Sequence, residues 1–254
     1  MSLILTAHGT RRSSGIAMIG NLAEQVSRLV GQSVQVAFVD VLGPTPGELL
    51  SGLNSAQPAI VVPAFLSRGY HVRADLPGHV VASRHPSVTV TAALGPGPEI
   101  ARIVAQQLVK SGWRSGDSVI LGAAGTSDRR AQADLCHTAT LLSALIGSRV
   151  DLGFAATGEP DIYQAVAAAR RRGARRVVVA SYLLADGLFQ ERLAGCGADL
   201  VTEPLGADPG LARLVANRFR RAVPRRTGGR SVLHLSNCME HKALLTRHAG
   251  TSGA

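Results

Sequence analysis

Apolar positions along the chain fall into two kinds of pattern. Short continuous runs at 3–7, 34–39, 59–63 and 88–92 are followed by similar runs at 119–122, 150–155, 176–180 and 200–203. They are rich in Val, Ile, Leu and Ala without polar alternation, which predicts strands covered on both faces and hence parallel sheets. Between them, apolar residues recur at helical spacing over 16–30, 99–109, 131–146 and 161–172. The alternation predicts an α/β fold of two tandem similar domains, each a roughly four-stranded parallel sheet flanked by helices.

The second set of elements repeats the first in sequence as well as in pattern. LILTAHGT (3–10) matches VILGAAGT (119–126) at an offset of 116, which also sets Phe38 on Phe154 and Pro44 on Pro160. IVVPAFLSRGYH (60–71) matches VVASYLLADGLF (178–189) at 118, and LGPGPEIARIVAQQL (94–108) matches LGADPGLARLVANRF (205–219) at 111. Four blocks in one order with small drifts mark an internal duplication. The expected organisation is a first repeat over 1–115, a linker at 111–117, a second repeat over 116–222 and a basic tail over 223–254.

Composition narrows the function classes. Of 254 residues, 46% are hydrophobic and only 4% aromatic, so the core must be aliphatic. No uncharged apolar stretch is long enough to span a bilayer. MSLILTAHGT lacks the basic start of a signal peptide and reads as a first strand. Cys136, Cys196 and Cys238 form no CxxC pair and no disulfide framework, so a reducing cytoplasm is the expected compartment. The net charge of +10 allows an anionic partner. Without an aromatic platform or a GxGxxG turn it does not point to nucleic acid or a dinucleotide.

Duplication copies a scaffold, so chemistry should show where the copies differ. His8, at the end of the first strand, stands against Ala124, and His71, beyond the third, against Phe189. Asp40, past the second strand, stands against Ala156. Open α/β sheets bind ligands outside the carboxyl ends of their strands. Imidazoles converging there can hold a transition metal or move protons near neutral pH. Arg11, Arg12, Arg68 and Arg73 surround the two histidines and suit carboxylate capture; in the second copy Arg11 and Arg68 are read as becoming Ser127 and Ala185, and Arg12 as becoming Asp128. His79, His85 and His137 read as surface or helix positions. In the tail, His234, Cys238 and His241 have a loose metal-like spacing without a paired second motif.

AHGTRRSSG around His8 and VVPAFLSRGYHVRADLP around His71 resemble the two signatures of the class II chelatases, the sirohydrochlorin chelatase group. The resemblance spans both repeats, leaves the tail unmatched and fits the long form in which two copies are fused. It implies insertion of a divalent metal into the octacarboxylate tetrapyrrole sirohydrochlorin, with no cofactor beyond the metal substrate. Fe²⁺ giving siroheme is the first expectation. Co²⁺ for cobalamin, or a non-catalytic tetrapyrrole or metal carrier, are the alternatives. The family's metal-site histidines map to His8 and His71. Its carboxylate, commonly Glu, maps to Asp40, here read as assisting proton removal. Gly9, Thr10, Arg11, Arg12, Ser67, Arg68 and Arg73 would contact substrate. The tail has a single cysteine, so no iron–sulfur cluster is implied. A cytoplasmic monomer, a fused pseudo-dimer with no nucleic-acid or membrane partner, is expected.

Overall fold

The repeat seen in sequence is a repeat of backbone. The computed structural model describes residues 1–223; the tail beyond them, with His234, Cys238 and His241, lies outside the described residues. The first repeat runs β1 (Ser2–Ala7), α1 (Ser13–Val30), β2 (Val34–Phe38), α2 (Pro46–Ser51) and β3 (Ala59–Pro63). A π-helical turn (His71–Asp75) then leads into α3 (Leu76–Ser83), β4 (Val88–Val90) and α4 (Pro98–Lys110). The second runs β5 (Ser118–Gly125), α5 (Arg129–Ile146), β6 (Val150–Thr157), α6 (Ile162–Arg171), β7 (Val177–Tyr182), α7 (Leu188–Ala194), β8 (Leu200–Val201) and α8 (Pro209–Ala222). Each makes a four-stranded parallel sheet, ordered β2-β1-β3-β4 and β6-β5-β7-β8.

Local devices recur at the same offset of 116. Gly31 and Gly147 end α1 and α5 in the left-handed conformation, where glycine has no Cβ penalty. The Val34 N–H donates to Ser27 Oγ at 3.0 Å and the Val150 N–H to Ser143 Oγ at 2.9 Å. The Phe38 and Phe154 N–H groups donate to the carbonyls of Pro44 and Pro160, both of which follow cis peptide bonds.

Two helices, α2 and α7, were not expected from periodicity because each is seven residues or shorter. Local chemistry sets α2 instead: the Glu48 N–H donates to Thr45 Oγ1, and the Glu48 carboxylate accepts from the Thr45 N–H at 2.7 Å. That backbone bond holds the Glu48 carboxyl below its ordinary value.

Strand faces divide the interior into a central core and two outer ones. On β1, Leu3, Leu5 and Ala7 point to the central core and Ile4 to the outer one of its sheet. Val119, Leu121 and Ala123 of β5 point to the same central core, and Ile120 to the outer core of the second sheet. The last helices are exchanged: α8 packs on α1 and β3 of the first repeat, while α4 packs on α5 and β7 of the second. Leu211, Val215 and Phe219 of α8 and Ile100, Val104 and Leu108 of α4 are almost fully buried there. The two sheets therefore share one core, and residues 1–223 form one compact unit.

A polar clamp locks the two repeats beside this core. Asp134 on α5, buried to 3% exposure, receives the Arg68 backbone N–H at 2.8 Å and Nε at 3.0 Å on Oδ2, and the guanidinium NH2 at 2.5 Å on Oδ1. Beside it, the buried Tyr182 hydroxyl donates to the Leu66 carbonyl at 2.8 Å. Burial alone would raise the Asp134 carboxyl, but the Arg68 hydrogen bonds outweigh it and hold the carboxyl below its ordinary value. The stabilisation is therefore complete above the unfolded carboxylate pKa of about 3.9 and is lost as pH falls through the lower native value.

Replacing Asp134 by Ala should lower the free energy of unfolding in urea at neutral pH by about 2–3 kcal/mol, as Arg68 loses a charged acceptor. The difference from the parent chain should shrink as the pH falls below about 3.9.

Candidate active site

Parallel strands deliver their carboxyl ends to one edge, and in each sheet the following loops line one side of a shared cleft of about 510 Å³. The first repeat contributes residues 7–12 and 64–67, and the second contributes 123–125 and 182–189. The lining is mainly aliphatic, with Phe65, Tyr182 and Phe189 as its aromatic surfaces, as suits a large flat ligand.

His8 is the residue after β1 and is exposed. His71 opens the π-helical turn, a loop's length beyond β3. The fold brings them together: their ring centroids lie 4.5 Å apart with planes at 88°. Phe65 stacks beside His71 at a centroid distance of 6.1 Å, and Tyr70 meets it edge-on. One turn on, the Asp75 carboxylate is 2.5 Å from His71 Nδ1. With Nδ1–H donating to Asp75, the other ring nitrogen, Nε2, is left with its lone pair for a metal or a proton. Sequence reasoning missed Asp75, although its i, i+4 spacing from His71 in HVRAD was visible.

Asp40 is placed differently from the expectation that it would join the histidines. Among the described residues no group of three or more His, Cys, Asp or Glu side chains could hold a metal ion. The Asp40 carboxylate instead accepts from the Val41 N–H at 2.7 Å. Val41 is β-branched yet has φ +71°, a strained conformation that this hydrogen bond helps to hold, and its side chain lines the cleft. The Asp40 backbone N–H donates to the His8 carbonyl at 3.1 Å, tying the turn to the end of β1.

Gly9 makes that approach possible. At φ +105° it lies so close to the turn that a Cβ would come within 2.3 Å of the Asp40 carbonyl oxygen. Gly125 does the same in the second repeat, against the carbonyl of Thr157. A register shift in β5·β6 adds one residue there, so the backbone counterpart of Asp40 is Thr157 and not Ala156.

The four arginines divide. Arg11 lines the cleft, is exposed and makes no ion pair among the described residues. Arg12 also lines it but pairs with Glu191 at 2.9 Å; Arg68 is committed to Asp134, and Arg73 pairs with Asp128. Those three bonds all cross between repeats. Thr10 and Ser67 line the cleft, and the Thr10 hydroxyl accepts the Arg12 N–H at 3.2 Å.

The Leu94 N–H donates to the Phe65 carbonyl and the Leu205 N–H to the Leu183 carbonyl, which fixes the offset of this segment at 118. Arg68 therefore stands against Asp186, not Ala185. His79 and His85 are half-buried on and after α3, and His137 is exposed on α5; none reaches the cleft.

Comparison with known proteins follows the same boundaries. The family model described as CbiX matches residues 2–111 and again 118–222. A sirohydrochlorin ferrochelatase of Priestia megaterium is 24% identical over 86% of this chain and 89% of its own length. A sirohydrochlorin cobaltochelatase of Methanopyrus kandleri is 28% identical over 30% of this chain and 56% of its own. Among solved structures, SirB from Bacillus subtilis with Fe³⁺ superposes with a TM-score of 0.71 at 21% identity, covering 87% of this chain and 94% of SirB.

Gly9→Ala should force the Asp40–Val41 turn away from β1 and destabilise the chain by about 1–3 kcal/mol in denaturant unfolding. Asp75→Asn should weaken Co²⁺ binding in a titration by about tenfold to a hundredfold while leaving the melting temperature close to that of the parent.

Proposed function

The chain belongs to the CbiX family, and on that premise we propose that it is a sirohydrochlorin chelatase. The observation that carries the reading is the imidazole pair, with ring centroids 4.5 Å apart: His8 lines an apolar cleft, His71 packs against His8, and neither has a counterpart in the second repeat. The metal ion is a substrate, not a resident. Two neutral imidazoles are an incomplete ligand set, completed by water, and so hold Fe²⁺ or Co²⁺ weakly enough to surrender it to a ring of four nitrogens. Entry of the ion as M²⁺ releases two pyrrole protons. His8 and His71, freed of metal, are bases able to receive a proton, and Asp75 stabilises the imidazolium formed on His71.

The cleft walls accept the flat macrocycle and exclude water from its faces, while the carboxylates remain at the rim. Among the described residues, Arg11 is the cleft cation free to meet one of them. Arg12 can do so only in competition with Glu191, and Arg68 and Arg73 act through the geometry of the cleft. Asp40 is a positioning residue for Val41 and the end of β1. No nucleotide takes part.

Iron is the first metal of this reading, since the relative matching most of the chain bears a ferrochelatase name; cobalt stands second. A single chain supplies both walls, as a fused pseudo-dimer in the cytoplasm. Cys136 and Cys196 are unpaired among the described residues.

Anaerobic absorbance assays of sirohydrochlorin with Fe²⁺ or Co²⁺ should show insertion well above the spontaneous rate. His8→Ala and His71→Ala should each lower it by at least about a hundredfold without unfolding the chain. Tight binding of the metallated product with no turnover would make the protein a carrier, and near-parental activity in either variant would remove the imidazole pair from the mechanism.

A further inference from the structure

The ion pairs between the repeats follow a pattern that neither repeat shows alone. Position 12 of the first repeat corresponds to 128 of the second, and 73 corresponds to 191. The fold pairs 12 with 191 and 128 with 73, as a pseudo-two-fold axis requires. Charge breaks the symmetry: the first pair is Arg12–Glu191 and the second Asp128–Arg73, so every basic member belongs to the first repeat and every acidic one to the second. The Arg68–Asp134 clamp obeys the same rule. The counterpart of Arg68 is Asp186, and the counterpart of Asp134 is Met18.

We propose that this reversal of charge is a recognition code that makes each repeat complementary to the other and to no second copy of itself. Two first repeats placed face to face would set Arg12 against Arg73 twice and leave Arg68 opposite Met18. Two second repeats would set Asp128 against Glu191 and aim Asp186 at the buried Asp134. A self-complementary interface needs the same patch on both partners to attract itself, and here like charges oppose each other in each homotypic arrangement. The exchanged helices α4 and α8 make the device necessary. Because each repeat completes its core with a helix from the other, apolar packing alone would accept any copy of the same fold. With Arg12 and Glu191 both more than half exposed, their attraction is modest and salt-sensitive, whereas the buried Asp134 admits only a cationic partner. The inference rests on the pseudo-dimeric packing and not on the chelatase reading, and its test does not use activity.

The full chain tests it with the exchange R12E/E191R. This keeps both pairs attractive within the chain but makes each repeat self-complementary at these positions. Arg12→Glu alone should lower the melting temperature in low salt by about 2–4 °C, and adding Glu191→Arg should restore it. Refolded from denaturant at high chain concentration and low salt, R12E/E191R should give a severalfold larger multimer fraction by light scattering than the parent. The parent's own multimer fraction should rise when it is refolded in high salt. Failure of Glu191→Arg to restore the melting temperature would overturn the proposal. So would a multimer fraction in R12E/E191R no greater than in the parent at low salt.

Discussion

The arrangement depends on one packing constraint: each repeat's last helix lies on the other repeat's sheet. The central face of each sheet is covered only in part by its own repeat's helix, α1 or α5, and the exchange of α4 and α8 completes both at once. The exchange also fixes the direction in which the sheets face. Parallel strands end on one edge, and with the sheets back to back around a common core the two sets of strand ends open on a single cleft. The cleft is thus a consequence of how the core is completed. Its polar lock, Arg68 to Asp134, springs from the loop after β3, the same loop that carries Phe65 and leads to His71.

Within that frame the two copies have diverged in chemistry and not in backbone. The glycine turn at the end of β1 recurs at the end of β5, with the same close carbonyl beneath it, yet His8 faces Ala124. One repeat supplies the imidazoles and the other supplies Tyr182, Leu183 and Phe189 as a wall. A duplicated metal site would present two weak ligand sets across one cleft, and only one macrocycle face can be metallated at a time. A single pair of imidazoles, oriented through Asp75, is sufficient for an ion that must be let go.

Much of this was legible in sequence because the signal was written twice. The strand runs and the four longer helices named in sequence stand where expected, to within a few residues, since each carries enough turns or enough Val and Ile to declare its period. The short helices α2 and α7 did not declare themselves, being held by local capping and by tertiary contact. His8 and His71 stood out because their counterparts are apolar. What the chain could not declare was pairing: three arginines that read as free anchors for carboxylates are bonded across the repeats, and their acidic partners lie 66, 55 and 179 residues away. The helix exchange was invisible for the same reason, since a helix that matches its repeat in sequence carries no mark of which sheet it covers. Asp40 was legible as a strand-end carboxylate, but not that it accepts the backbone N–H of Val41 at positive φ.

In the proposed mechanism two imidazoles of one repeat, with no third side chain among the described residues, hold the metal on its way into the macrocycle. Cobalt-edge X-ray absorption on the Co²⁺-loaded full chain tests it directly. The spectrum should show two imidazole ligands, lost stepwise in His8→Ala and the double variant with His71→Ala, and otherwise only light oxygen neighbours. Sulfur ligation, a third imidazole, or a spectrum unchanged by removing both histidines would contradict it.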